Sequence, residues 1–291
     1  MNIGIIGQGF VGSAIREGLK KHHQISTFDI DEKKCNQTHE WVCLNSDIIF
    51  MCLPTPMKKD GSCDIRILEK AIQDVHQACL DGGRQESRPV LVIKSTVTPG
   101  TTDTLNNKYT NRCDGHPDMH ICFSPEFLTE ANSFEDFKNQ SRIIIGSESM
   151  EVSTIVAKMF KEVFTEIPII QTKARYAEMT KYFINCFLAT KVIFANQMYQ
   201  ICTNNNMRYD DIVSLALFDE RIGGTHLAVP GPDGDFGFGG HCFPKDLAAM
   251  IEFGSKNNAN PSLLREVQCF NDKVRKLRDW ESMKGRAVSD D

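Results

Sequence analysis

The densest chemistry lies late in the chain, in Gly237-Phe238-Gly239-Gly240-His241-Cys242-Phe243-Pro244-Lys245-Asp246. Three glycines let a ligand approach the backbone closely. Cys242 stands two residues before a helix predicted to open at Pro244, where the missing N–H costs nothing. The partial positive charge of that helix start, with Lys245 beside it, favours a thiolate and hence a nucleophile. The plain alternative is one more buried cysteine in a chain of 11. Against it, this cysteine alone joins a Gly-rich loop to a helix start among ionisable residues.

Three other constellations could work with it. Gly7-Gln8-Gly9-Phe10-Val11-Gly12 follows a predicted strand and opens a predicted helix, as a pyrophosphate-binding turn must. The next strand ends at Asp29, 22 residues after Gly7. A carboxylate there accepts hydrogen bonds from ribose hydroxyls and repels a 2′-phosphate, so NAD is expected over NADP; otherwise it caps a turn. Lys181 and Asn185 are four apart on a predicted helix and share a face. There they could polarise a substrate oxygen or hold an oxyanion, or else form an ordinary solvated face. Phe123-Ser124-Pro125-Glu126-Phe127-Leu128-Thr129-Glu130 offers two carboxylates beside an apolar pair, or a helix start with acidic residues favoured by its dipole.

These residues need a scaffold. Apolar runs at residues 2–6, 24–28, 47–53, 89–95, 120–123 and 142–146 predict strands. Helical patterns between them, such as 12–20 and 65–78, predict βαβ units and an α/β, Rossmann-like, doubly wound parallel sheet. Irregular loops are expected at 54–63 and 113–119, where such sheets bind ligands. Residues 174–202 hold no Gly or Pro and predict a spine helix of about 29 residues, ~44 Å long. Helices are further predicted at 209–218, 244–253 and 261–283, around a Gly/Pro-rich loop at 223–240, with a frayed polar tail. The expected organisation is a dinucleotide-binding domain over 1–172 and a long helix with a small all-α domain over 173–285.

Composition sets the outer limits. With 41% hydrophobic and 24% charged residues and a net charge of −5, the chain reads as a soluble globular protein, with no sign of nucleic-acid or membrane partners. The N-terminus lacks a basic leader, the apolar runs are strand-length, and no Cys pair has metal or disulfide spacing, so a reduced cytoplasmic protein without a metal is expected.

Taken in order, the segments resemble the UDP-glucose/GDP-mannose dehydrogenase family. They are GQGFVG (7–12), FDID (28–31), PTP (54–56) with DGS (60–62), KSTVTPG (94–100), FSPEFLTE (123–130), AEMTKYFINCFLA (177–189), DERIG (219–223) and GFGGHCFPKD (237–246). The resemblance implies NAD-dependent, four-electron oxidation of the 6-hydroxymethyl of a nucleotide sugar, UDP-glucose first among them, to a carboxylate. By that resemblance Cys242 captures the aldehyde as a thiohemiacetal and then carries a thioester. Lys181 and Asn185 surround the C6 oxygen, Asp246 orders or deprotonates water with Thr96 assisting, and Glu126 takes part in thioester formation and hydrolysis. Phe127, Leu128 and Glu130 line the site, Glu130 also near NAD. Arg221 reaches into the pocket of a neighbouring subunit, which implies a homodimer through the 174–202 helix.

On the cofactor side the resemblance implies the glycine turn (Gly7, Gly9, Phe10, Val11, Gly12), Asp29 and Lys34 at the adenosine ribose, Thr55 and Ser95 at inner contacts, and Lys245. Family members continue into a second nucleotide-binding domain, which is expected to be absent from these 291 residues. The nucleotide is then held by the 229–240 loop with Phe236, Phe238 and Gly239, by a partner chain, or not at all. Two other readings remain. A β-hydroxyacid-type dehydrogenase has a similar first domain and Lys/Asn pair but transfers one hydride and needs no cysteine. A non-catalytic NAD-binding partner protein would need only the first 150 or so residues.

Overall fold

The computed structural model describes residues 1–84, 88–110 and 119–290; the loop expected at 113–119 lies, except for Met119, outside them. Contacts divide the chain into two compact units, residues 1–55 with 65–181, and residues 56–64 with 182–291.

The first unit is built on β1 (Asn2–Ile6), β2 (Gln24–Phe28), β3 (Ile48–Met51), β4 (Val90–Ile93), β5 (His120–Phe123), β6 (Ile143–Gly146) and β7 (Ile169–Thr172). They form one sheet in the order β2-β1-β3-β4-β5-β6-β7, parallel throughout except where β5 meets β6 at Phe123 and Gly146. Alternate side chains sort to opposite faces, as the two-residue strand period requires. Ile49, Met51, Leu91, Ile93, Ile121 and Phe123 join one core. Ile48, Phe50, Val90, Val92 and Cys122 join the other. A strand buried on both sides reads as a continuous apolar run, which is why these strands are visible in the sequence. β7 is not predicted: its residues are half-buried or exposed, and Pro168 interrupts the short apolar run that leads into it.

Helices α1 (Phe10–Leu19), α2 (His39–Asn45), α3 (Arg66–Asp81), α4 (Thr101–Thr110), α5 (Ser133–Lys138) and α6 (Met150–Lys161) flank the sheet. In α3, Leu68, Ile72, Val75 and Cys79 recur at helical spacing and are buried. The spine helix α7 spans Ala174–Asn204, slightly longer than expected. Its first turns belong to the first unit, where Glu178, wholly buried, accepts from the Gly100 N–H at 2.6 Å, the Thr102 N–H at 2.8 Å and the Thr102 hydroxyl at 2.6 Å. A side chain 76 residues away thus caps the N-terminus of α4.

The second unit holds the rest of α7, then α8 (Tyr209–Ala216), α9 (Cys242–Lys256) and α10 (Ser262–Val274). Three expectations are corrected here. α9 opens at Cys242, not Pro244. Proline is tolerated anywhere in a first turn, whose N–H groups have no intrahelical partner, so Pro244 does not mark the first position. α10 stops at Val274 instead of running to 283, because Asp235 accepts the N–H groups of Lys276 and Leu277 and draws the chain out of the helix. The tail is not frayed. Val288 bridges to Met57, the Ser289 N–H donates to the Met57 carbonyl, and the Ser289 hydroxyl donates to Asp64 at 2.8 Å.

The cap on α4 generates a test. Glu178→Ala strands three donors, two of them buried, so we expect urea denaturation to show a loss of about 2–4 kcal/mol, with Glu178→Gln retaining part of the stability. A loss below about 0.5 kcal/mol, the range of an ordinary surface change, would remove Glu178 from that role.

Candidate functional site

The glycine turn connects β1 to α1. Gly7 has φ +93°, and a Cβ there would lie 2.3 Å from the Cys52 carbonyl oxygen. A Cβ on Gly12 would lie 1.9 Å from the Gly7 carbonyl oxygen, so the helix can pack this close only on glycine. Gly9 is the N-cap of α1; no side chain caps this end, and a Cβ there would meet only open space. Phe10 and Val11 are half-buried in the first turn. An uncapped helix start beside open backbone fits the pyrophosphate of NAD. Asp29 accepts from the Gln8 N–H at 2.5 Å and from the Asp31 N–H at 2.9 Å. Asp29 therefore fixes the turn, as its plainer reading expects, and sets a carboxylate beside the helix start. Lys34 is exposed, 3.9 Å from Asp31. Thr55 and Ser95 are buried and tie the strand ends together, Thr55 donating to the Thr96 carbonyl at 2.7 Å and Ser95 to the Leu53 carbonyl at 2.6 Å.

At the end of β5 the first unit buries a charge cluster. Lys181 is 4% exposed, and its ammonium donates to the Glu126 carbonyl at 2.7 Å and to Glu126 Oε1 at 3.0 Å. Glu126 Oε2 accepts from the Leu128 N–H at 2.7 Å. Burial alone would raise the Glu126 carboxyl, but Lys181, the Leu128 N–H and Lys94 outweigh it and hold the acid below its usual range. The Phe127 ring stacks under the Arg142 guanidinium at 4.3 Å and lies 5.5 Å from the Lys181 ammonium. Leu128 is half-buried against the core, Thr96 is buried, and Glu130 is exposed.

The second unit assembles another cluster around the start of α9. Cys242 is half-buried at the first helical position and shares a face with Asp246, four residues on. Asp246, 1% exposed, accepts from Asn185 Nδ2 at 2.6 Å and from Lys245 Nζ at 2.5 Å. Burial works against the Lys245 charge, but Asp246, Cys242 and Cys63 together raise its pKa above the usual lysine value. A held ammonium and a helix N-terminus both favour thiolate at Cys242. Elsewhere burial has the opposite effect, pushing the thiols of Cys43, Cys52, Cys122 and Cys186 up to about 12.

The glycines before Cys242 serve packing more than ligand approach, which corrects the sequence reading. A Cβ on Gly237 would lie 2.2 Å from Asn271 Oδ1, and one on Gly239 2.2 Å from Arg275 Nη2. Only at Gly240, with φ +70°, is there open space. Phe238 is 5% exposed, packs edge-on to Phe243, and forms one wall of a cavity of about 430 Å³ with Trp280, Arg265 and Lys58. Phe236 is half-buried against Tyr199. Arg221 lies exposed on a loop, its guanidinium held by Asp219. Glu130, Lys34 and Arg221 thus stand outside the two buried clusters.

Two buried cations were missed. Lys94, in KSTVTPG, ends an apolar strand, and a lysine closing a doubly buried strand was the available signal. Arg275 is bonded to Asp233 and flanked by Asp235 and Asp279; nothing near it in sequence announces this. Among the described residues no group of His, Cys, Asp or Glu is arranged to hold a metal, and no helix is long and apolar enough to cross a membrane.

Comparison with known proteins gives consistent matches. Residues 38–165 match the NAD binding domain of the UDP-glucose/GDP-mannose dehydrogenase family, and residues 175–273 match its central domain. A putative UDP-glucose 6-dehydrogenase of Bacillus subtilis is 31% identical over 99% of this chain and 73% of its own length. A UDP-glucose 6-dehydrogenase of the same organism is 28% identical over 92% of this chain, which spans only 65% of that relative. The structure of a UDP-glucose dehydrogenase from Pyrobaculum islandicum superposes with a TM-score of 0.83 at 26% identity, covering 94% of this chain and 68% of that one.

The contrast among thiols is directly measurable. We expect iodoacetamide near pH 7.5 to alkylate Cys242 at least about tenfold faster than Cys186 or Cys122, read by peptide mass spectrometry. Equal rates would remove the basis for a nucleophile at Cys242.

Proposed function

Because the chain belongs to the UDP-glucose/GDP-mannose dehydrogenase family, we propose that it oxidises the C6 hydroxymethyl of a nucleotide sugar to a carboxylate, and that UDP-glucose is the sugar nucleotide and UDP-glucuronate the product. The names of the relatives support this substrate. The observation that carries the chemistry is Cys242 at the start of α9, one turn from the buried Asp246, which Lys245 and Asn185 hold in place. NAD, when bound at the glycine turn, takes up the hydride lost from C6, two per substrate.

The residues divide the remaining work. In this reading Lys181 and Asn185, one turn apart on α7, face the C6 oxygen; the ammonium steadies negative charge there and the carboxamide holds the oxygen in place. The Cys242 thiolate adds to the aldehyde carbon, giving a thiohemiacetal that keeps the aldehyde on the protein. Loss of the second hydride leaves a thioester, which water hydrolyses to release carboxylate and thiol. Asp246 orders that water and takes its proton, with Thr96 assisting, and Glu126 takes part in forming and hydrolysing the thioester. Phe127, Leu128 and Glu130 border the sugar, and Phe236, Phe238 and Gly239 belong to the loop assigned to the nucleotide. Asp29 and Lys34 take the adenosine ribose, Thr55 and Ser95 the inner cofactor contacts, and Lys245 a further one.

We also propose that a second copy of the chain covers α7. Tyr176, Met179, Phe183, Phe187, Phe194 and Ile201 are exposed on it, Phe183 by 70%, at spacings of three, four and seven residues. Such a stripe is an interface pattern rather than a solvated face. Arg221, exposed on its loop, is the residue such a partner would receive.

Two measurements test these readings. With limiting UDP-glucose we expect two NADH per sugar and no free aldehyde, and Cys242→Ser should still bind NAD but lose at least about 100-fold in turnover. One NADH per substrate with a stable carbonyl product would instead favour the single-hydride alternative. For the interface, replacing Phe183 and Phe187 together by Glu should convert a dimer into monomers in light scattering. A wild-type monomer with full activity would exclude both the interface and the shared role of Arg221.

A further inference from the structure

Lys94 closes β4 and takes no part in the roles assigned above. It is 6% exposed, and its ammonium donates to the Pro125 carbonyl at 3.0 Å and to the Ser124 hydroxyl at 3.3 Å. The next carbonyl along, that of Glu126, is held by Lys181 at 2.7 Å. Two ammonium groups therefore grip consecutive carbonyls of one turn, and a single carboxylate, Glu126, lies with them. Ser124 is itself wholly buried and fixed to the sheet by its N–H, which donates to the Ile93 carbonyl at 2.9 Å.

We propose that Lys94 is a positioning residue for Glu126 and Lys181, holding the Ser124–Glu126 turn in place and adding a second positive charge to the pocket in which negative charge develops during turnover. The proposal rests on the roles given above to Glu126 and Lys181. With both lysines charged the group carries one net positive charge; with Lys94 neutral it carries none. A surplus positive charge is costly at rest and is offset only when a further negative charge forms beside it.

Lys94 is suited to move between these states. Burial lowers its pKa to about 8, while Cys52, Glu126 and Cys122 work in the opposite direction and Lys181 adds to the lowering. These groups face it from the ends of β3 and β5, from the turn and from α7. Below that pH Lys94 is charged and supports the Glu126 carboxylate; above it the support is withdrawn. An arginine at this position stays charged throughout.

The test has one arm that needs no turnover and one that does. In protein labelled with carboxyl-13C glutamate, the Glu126 signal, identified by its loss in Glu126→Gln, should show a second inflection near pH 8 in the wild type. Lys94→Arg should abolish that inflection, and Lys94→Met should abolish it and raise the titration of Glu126 itself. In the kinetic arm Lys94→Met should lower kcat by about 10- to 100-fold with little change in KM. Lys94→Arg should retain turnover and move the alkaline limb of the pH profile upward. A wild-type Glu126 signal without the second inflection, or Lys94→Met with wild-type kcat, overturns the proposal. Should the wild type turn over no nucleotide sugar, the functional reading falls while the titration still decides on Lys94. Should Lys94→Met fail to fold, the wild type and Lys94→Arg decide it.

Discussion

The structure depends on how it places a lysine in its interior. An ammonium as buried as that of Lys181 survives only with a counter-charge and with its donors satisfied, and removing the partner of such a pair costs about 3–5 kcal/mol. Glu126 supplies both, through its carboxylate and its own carbonyl. To do so it must follow directly on a strand that cannot move, and β5 is such a strand, paired on both sides within the sheet. Pro125 stiffens the turn and Lys94 holds its carbonyl. The sheet thus fixes the turn, the turn fixes Glu126, and Glu126 fixes the rotation of α7 about its axis. Within the second unit Asn185, further along α7, meets a carboxylate of its own, Asp246.

The thiols show the same principle from the opposite side. Burial makes a thiolate expensive at Cys122, where Lys94 offsets only part of the cost, and at Cys186, where the Asp246 carboxylate adds to it. Cys242 has the same side chain but starts a helix, beside the Lys245 ammonium. Lys245 in turn keeps its charge chiefly through the adjacent Asp246. One carboxylate therefore serves two neighbours: it orients Asn185 and holds Lys245 charged. Removing it would disturb both at once, which is the non-additive behaviour expected of a polar network in a low dielectric.

The sequence made some of this legible and not the rest, for identifiable reasons. Strands buried on both faces announce themselves as apolar runs, and the glycine turn is visible because two of its glycines are compelled by contacts closer than any Cβ permits. Cys242 was marked by its neighbours, although Pro244 misplaced the helix start by two residues. The edge strand β7 offered only a short apolar run broken by Pro168 and continued by polar residues. Glu178 at α4, Ser289 at Asp64 and Lys94 at Pro125 are partners separated by 76, 225 and 31 residues. No local pattern encodes such a pairing; what the sequence records is only a polar residue in an otherwise apolar setting.

Arg275 is the extreme of this non-local kind, and it shows why glycine is required at 239. Its guanidinium, 2% exposed, is bonded to Asp233 at 2.6 Å, with Asp235 and Asp279 each 3.6 Å away. Three carboxylates around one cation would repel one another, but each is also spent on backbone donors, Asp233 accepting from the Asp235 N–H. Asp235 accepts from Lys276 and Leu277, and Asp279 accepts from Gly240. The buried charge is thus shared between an arginine and amide dipoles, and the 231–240 loop is locked to the segment that follows α10. Any side chain at 239 would have to occupy the space of that guanidinium. The glycine that reads in sequence as room for a ligand is room for Arg275; of the three glycines just before Cys242, Gly240 is the one that faces open space.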